Sequence, residues 1–206
     1  MLPISTEAWH RYDVESLDAN VYVEPDFDTD IVPDMLDAAA SAAKEAYDPT
    51  DTLGPGCFGV VTELGGYVLK VSLRKRKYTL ADAAVNHGLQ VGLTRIRNTV
   101  INETGLEISA PQHHVIISPK NPYTPRVYAA SLMDIAPGSK AFNARDLPTN
   151  EELGGIYNAA LAAVGFRTNN ILPDHSPHHL FVVRDTESGR PTKLTKLDVQ
   201  PIGEYC

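Results

Sequence analysis

The sequence predicts an α+β protein with a β-rich first half crossed by one helix and a second half made of a helix and a short hairpin. Three observations predict this. Two strand-like runs, LGPGCFGVVTEL and YVLKVSL, meet at Gly65-Gly66, a hairpin signal. A capping box at Thr79-Leu80-Ala81-Asp82 opens a helical stretch directly after them. Later, NEELGGIYNAALAAVGF reads as a helix, and the short apolar runs LFVV and KLTKLDV flank the charged turn RDTESGRPT.

In chain order, residues 1–33 are acidic, are broken by Pro25 and Pro33, and carry no clear period; they read as an irregular arm. Pro33-Asp34 opens an alanine-rich helix, DMLDAAASAAKEAY. After the hairpin, the crossing helix runs to about Thr99, with Gly88 and Gly92 counting against an uninterrupted helix. HHVIIS and RVYAASLM are two further strands split by PKNPYTP. The break in the chain falls near Asp134–Gly138. The expected organisation is residues 1–49 as an acidic arm plus helix, 50–134 as the β-rich unit, and 135–206 as the helical remainder.

Composition narrows the function classes. With 206 residues the chain is long enough for one cored domain or two small lobes sharing a cleft. The net charge of −8 argues against a general nucleic-acid binder, and the basic run Arg74-Lys75-Arg76-Lys77 reads as a solvated turn. No apolar run reaches the ~18 residues of a membrane span, and the first residues lack the order of a signal peptide. Cys57 and Cys206 form neither a metal spacing nor a disulfide framework. These features lead to the expectation of a reduced, cytoplasmic protein.

Four features carry chemistry. Gly54-x-Gly56-x-x-Gly59 allows close approach of backbone N–H groups to phosphates. It leads into a second strand rather than a helix, which disfavours a dinucleotide turn. Phe58 is placed to cover the loop tip. Lys70, in the middle of YVLKVSL, is costly to bury unless an anion such as an ATP phosphate accompanies it; the alternative is an outward-facing lysine on an edge strand. Asp174 follows a helix, and Asp198 ends the last strand-like run. One carboxylate suits a proton acceptor for a substrate hydroxyl and the other a magnesium ligand. His175, His178 and His179 beside Asp174 leave a transition-metal site open. His113 and His114 have no spaced partner for a metal, and His87 reads as a core or cleft residue.

In this order the motifs resemble the protein-kinase superfamily. LGPGCFGVV resembles its glycine-rich loop, YVLKV its strand lysine, SLMDIAPGS its last small-lobe strand and hinge, DHSPHHLFV its catalytic loop, and KLDVQ the segment of its metal-binding aspartate. The short chain and the catalytic loop without a preceding histidine also resemble the early host-shutoff kinases of phages. The resemblance implies a protein-kinase-like two-lobe fold, with an antiparallel β small lobe, one crossing helix and a truncated helical large lobe. It implies ATP held at its phosphates by Gly54, Gly56, Phe58, Gly59 and Lys70, and at its base by Met133, Asp134 and Ile135. It makes Asp174 and Lys70 catalytic, and Asp198 and His179 ligands of Mg2+ or Mn2+. The implied acceptor is a serine or threonine of a protein substrate.

The sequence departs from the family pattern in several places. Leu172-Pro173 stand where His-x is expected, and His179 stands where an asparagine would hold the second metal. Asp82 is the only carboxylate between Lys70 and Glu103 that could pair with the lysine. Val199-Gln200 replace Phe-Gly, and no activation segment or peptide-binding half follows. A stripped kinase core is expected, or one that completes itself by oligomerising or docking on a partner. Two alternatives stay open: a pseudokinase acting as a nucleotide-binding or inhibitory module, and a small-molecule kinase.

Overall fold

The computed structural model describes residues 9–12, 14, 19–45, 59–72, 80–120, 130–140, 146–166, 171–173, 180–197 and 199–201. In order these form β1 (His10–Tyr12), β2 (Ala19–Val23), α1 (Ile31–Glu45), β3 (Gly59–Leu64), β4 (Tyr67–Ser72), α2 (Leu80–Thr104), β5 (Glu107–Ser109), β6 (His113–Pro119), β7 (Ala130–Met133), β8 (Ser139–Lys140), α3 (Asn150–Ala163), β9 (Ile171–Pro173), β10 (Leu180–Arg184), β11 (Pro191–Lys196) and β12 (Val199–Pro201). The class is α+β, as expected. The chain divides into two compact units, Ser5–Ala83 with His113–Ile135, and Met1–Ile4 with Ala84–Gln112 and Ala136–Cys206.

The first unit is built on an antiparallel six-stranded sheet in the order β1-β2-β6-β7-β4-β3. The β3–β4 hairpin closes through Gly65 and Gly66, with φ of +59° and +85°. Positive φ at both loop residues is what a tight hairpin of this twist demands. One face of the sheet carries Val21, Val23, Val60, Leu69, Val71, Val115, Ile117, Ala130 and Leu132, and packs with Val32, Met35, Ala39 and Ala42 of α1. Period-2 alternation in the strands meets 3.6-residue periodicity in the helix, and this forms the unit's main core.

Residues 19–23 correct the expectation of an irregular arm. Ala19, Val21 and Val23 are buried and alternate with Asn20 and Tyr22, and β2 lies inside the sheet beside β6. A five-residue alternation between acidic stretches is too short to stand out as a period, but it is enough to fill a place in a sheet.

The second unit holds α2 from Ala84 onward, α3, and the mixed sheet β5-β11-β10-β8. β10 and β11 form the expected hairpin around the charged turn, and β5 joins β11 in parallel. α3 begins at a complete capping box: Thr149 Oγ1 accepts from the Glu152 amide, and the Glu152 carboxylate accepts from the Thr149 amide. Leu89, Leu93, Tyr157, Leu161, Leu180 and Leu194 lie at the centre of this core. α2 continues five residues past the expected end at Thr99, through Gly88 and Gly92 without a break. A separate antiparallel pair joins β9 to β12. No helix among the described residues is long and apolar enough to cross a membrane.

Candidate functional site

β4 carries Lys70 between β3 and β7. The strand is therefore interior and not at an edge of the sheet. The register aligns Val61, Lys70, Ser131, Ile116 and Tyr22 across five strands. Residues directly opposite in a sheet share a face. The two flanking rows, through Leu69 and Val71, belong to the α1 core, so Lys70 stands on the other face. It is half-buried there. Ser131, its cross-strand neighbour, is buried and hydrogen-bonds its Oγ to His113 Nδ1 at 2.6 Å. On the same face, Ile116 packs with Trp9 and Tyr22.

Gly59, the last glycine of the loop motif, opens β3 opposite Ser72. Gly54, Gly56 and Phe58 lie outside the described residues. Met133 ends β7, is buried, and pairs with Val68 and His113. It therefore shares the Lys70 face one diagonal step away, a Cα separation of roughly 7–8 Å. Asp134 is half-exposed and Ile135 exposed. The structure thus brings three features onto adjacent strands: the end of the glycine motif on β3, the lysine on β4, and the candidate hinge at the end of β7. Asp82 lies in the first turn of α2, and its side chain is outside the described residues.

Asp174, His179 and Asp198 lie outside the described residues, as do His175 and His178. The elements beside them are described. β9 ends at Pro173 and β10 begins at Leu180; β11 ends at Lys196 and β12 begins at Val199. Pro173 and Val199 are antiparallel partners. Asp174 is the next residue in the chain after one of them, and Asp198 the residue before the other. Among the described residues, no group of three or more His, Cys, Asp or Glu side chains is arranged to hold a metal ion.

No sequence motif marks His114, yet its Nδ1 lies 2.8 Å from Glu24 Oε2 and its Nε2 lies 2.9 Å from Asp134 Oδ1. Its partners come from the chain just beyond β2 and β7, 90 and 20 residues away. No local spacing encodes them.

No family model matches the chain significantly, and no curated protein or solved structure does so either.

Proposed function

We propose that the chain is an ATP-dependent phosphotransferase on a protein-kinase-like two-lobe fold, with a protein serine or threonine as acceptor. One observation carries the reading. Lys70 stands on an interior strand, on the sheet face away from α1, flanked by the strand that leaves the glycine motif and the strand that ends at Met133. A strand lysine beside a glycine loop and a backbone hinge is the arrangement that holds a nucleotide triphosphate in kinases. The pairing of Pro173 with Val199 supports it further. Pro173 precedes Asp174 and Val199 follows Asp198 in the sequence.

In the proposed division of labour, backbone N–H groups of the glycine loop and the Lys70 ammonium bind the phosphates. Met133, Asp134 and Ile135 receive the base. Asp198, with His179, would hold Mg2+ or Mn2+, and the metal supplies neutralisation of phosphate charge when bound. Asp174 orients the acceptor hydroxyl and takes its proton. The hydroxyl oxygen bonds to the γ-phosphorus while the bond to the β,γ-bridging oxygen breaks, and ADP leaves.

The test is incubation with γ-labelled ATP and Mg2+, and separately Mn2+, beside a Lys70→Ala/Asp198→Ala double variant. Label transferred by the parent alone is the expected result. His179 at the second metal position favours a second reading, a nucleotide-binding pseudokinase. That reading requires thermal stabilisation by ATP without transfer of label. Neither transfer nor stabilisation would remove the ATP site altogether.

A further inference from the structure

We propose that His114 is a positioning residue for the nucleotide base. It would act by fixing Asp134, and with it the segment Met133–Ile135. The proposal rests on the reading of that segment as the hinge that receives adenine.

The backbone prepares the arrangement. The β6–β7 register shifts between His113 and Val115: His113 faces Met133 and Val115 faces Leu132, which leaves His114 as the extra residue. A bulge of this kind re-aims one side chain without disturbing the rest of a ladder, and such bulges concentrate beside functional sites. His113 and Ile116 can thereby remain on the Lys70 face while His114 turns elsewhere.

The ring is held on every side that the described residues reveal. Phe27 stacks on it with centroids 4.4 Å apart and planes 13° from parallel. Tyr67 meets it edge-on at 5.2 Å and also contacts Phe27 edge-on. The Glu24 amide donates to the His114 carbonyl at 2.8 Å, tying backbone to backbone. The imidazole side chain is 10% exposed and that of Glu24 12%, whereas Asp134 is 50% exposed. A buried clamp thus reaches one partly open carboxylate, and that carboxylate belongs to the first residue beyond β7. Both ring nitrogens are engaged, Nδ1 with Glu24 Oε2 at 2.8 Å and Nε2 with Asp134 Oδ1 at 2.9 Å, so the ring ties Asp134 to the chain beyond β2.

Without the clamp, Asp134 is an ordinary half-exposed residue at a strand end, free to sample other rotamers and to let the backbone on either side follow. Ordering this segment before the nucleotide arrives reduces the entropic cost of binding. The contribution is to binding and not to the chemical step, so it belongs in KM and leaves kcat alone.

The test uses the full chain and two single variants with their double. His114→Phe keeps an aromatic ring between Phe27 and Tyr67 and removes both ring nitrogens. Asp134→Ala removes the carboxylate at its exposed end and leaves the His114–Glu24 contact in place. Each is expected to raise the KM for Mg-ATP, and its Kd by calorimetry, roughly tenfold, and for His114→Phe kcat should stay within about twofold of the parent. The double variant should be no worse than the weaker single, because both remove the same contact. Asp134→Asn, which keeps an acceptor oxygen, should recover most of the affinity. Lowered thermal stability with unchanged KM would overturn the proposal by reducing His114 to a packing residue. So would additive losses. A parent chain that neither binds nor turns over ATP would overturn the phosphotransferase reading, and this proposal with it; a parent that does, alongside variants of equal affinity, would overturn this proposal alone.

Discussion

Tyr157 is fully buried in the middle of α3, yet its hydroxyl has no hydrogen-bond partner among the described residues. The ring contributes a large apolar area to the core, while the hydroxyl has left water without compensation. A buried polar group in that position costs about 1–3 kcal/mol. Tyr157→Phe removes the oxygen and keeps the ring, so we expect stability unchanged or raised by up to about 1–2 kcal/mol in denaturant titration. A loss of more than about 1 kcal/mol would mean that the hydroxyl has a partner. Burial also pushes the phenol well above its ordinary value. As pH rises past about 10 the unfolded chain ionises first, so folding loses stability there. The phenylalanine variant lacks that loss, and its margin over the parent should widen above pH 10. At this scale the sequence was partly legible. The apolar runs around Lys70 and Met133 correctly placed both in strands, whereas the contacts of His114 depend on residues brought together by a bulge and two strand ends.

Gly92 shows how a residue that weakens a helix on paper can fix where two helices meet. A Cβ at Gly92 would stand 2.0 Å from the carbonyl oxygen of Ala160 and 2.5 Å from its carbonyl carbon. The absent side chain lets α2 and α3 touch backbone to backbone, and that approach explains a glycine kept inside a long helix. Helix propensity alone says that Gly92→Ala should stabilise by up to about 1 kcal/mol. The packing says the reverse: the helices must part, disturbing Leu89 and Leu93 against Tyr157 and Leu161. We expect a net loss of about 3 kcal/mol, read from the denaturation midpoint, and a gain would show that the two helices separate freely. The long elements were legible because their apolar or alanine-rich runs and the Gly65-Gly66 turn agree, although α1 begins at Ile31, before the Pro33-Asp34 opening the sequence suggests. The short ones were not. β5, β8, β9 and β12 have two or three residues each, too few for a period, and their partners in the sheets define them.

The two units have separate cores, but neither is a continuous piece of chain. The core beneath α3 takes Leu147, Leu153, Tyr157, Leu161, Leu180, Val182 and Leu194 from beyond Ile135, and it takes Val85, Leu89, Leu93, Val100, Leu106 and Ile108 from residues 84–112. The same excursion supplies β5, which pairs with β11 through Lys193, Leu194 and Thr195. Glu107 on that strand is bonded by Arg97 and Lys193, which hold its carboxyl below the usual range. Sequence order made Asp134–Gly138 look like a clean cut, because local signals register where an element ends and not which core it returns to. Residues 136–206 alone therefore lack six of the fourteen buried core residues described for their unit. At that size a chain has little margin, since a small domain buries only about 60% of its extended surface even when complete. We expect fragment 136–206 to melt without a cooperative transition by circular dichroism, and addition of a peptide of residues 84–112 to restore both helicity and a sigmoidal melt. Cooperative melting of 136–206 by itself would show that the helix from Ala84 onward is a lid on this core and not part of its foundation.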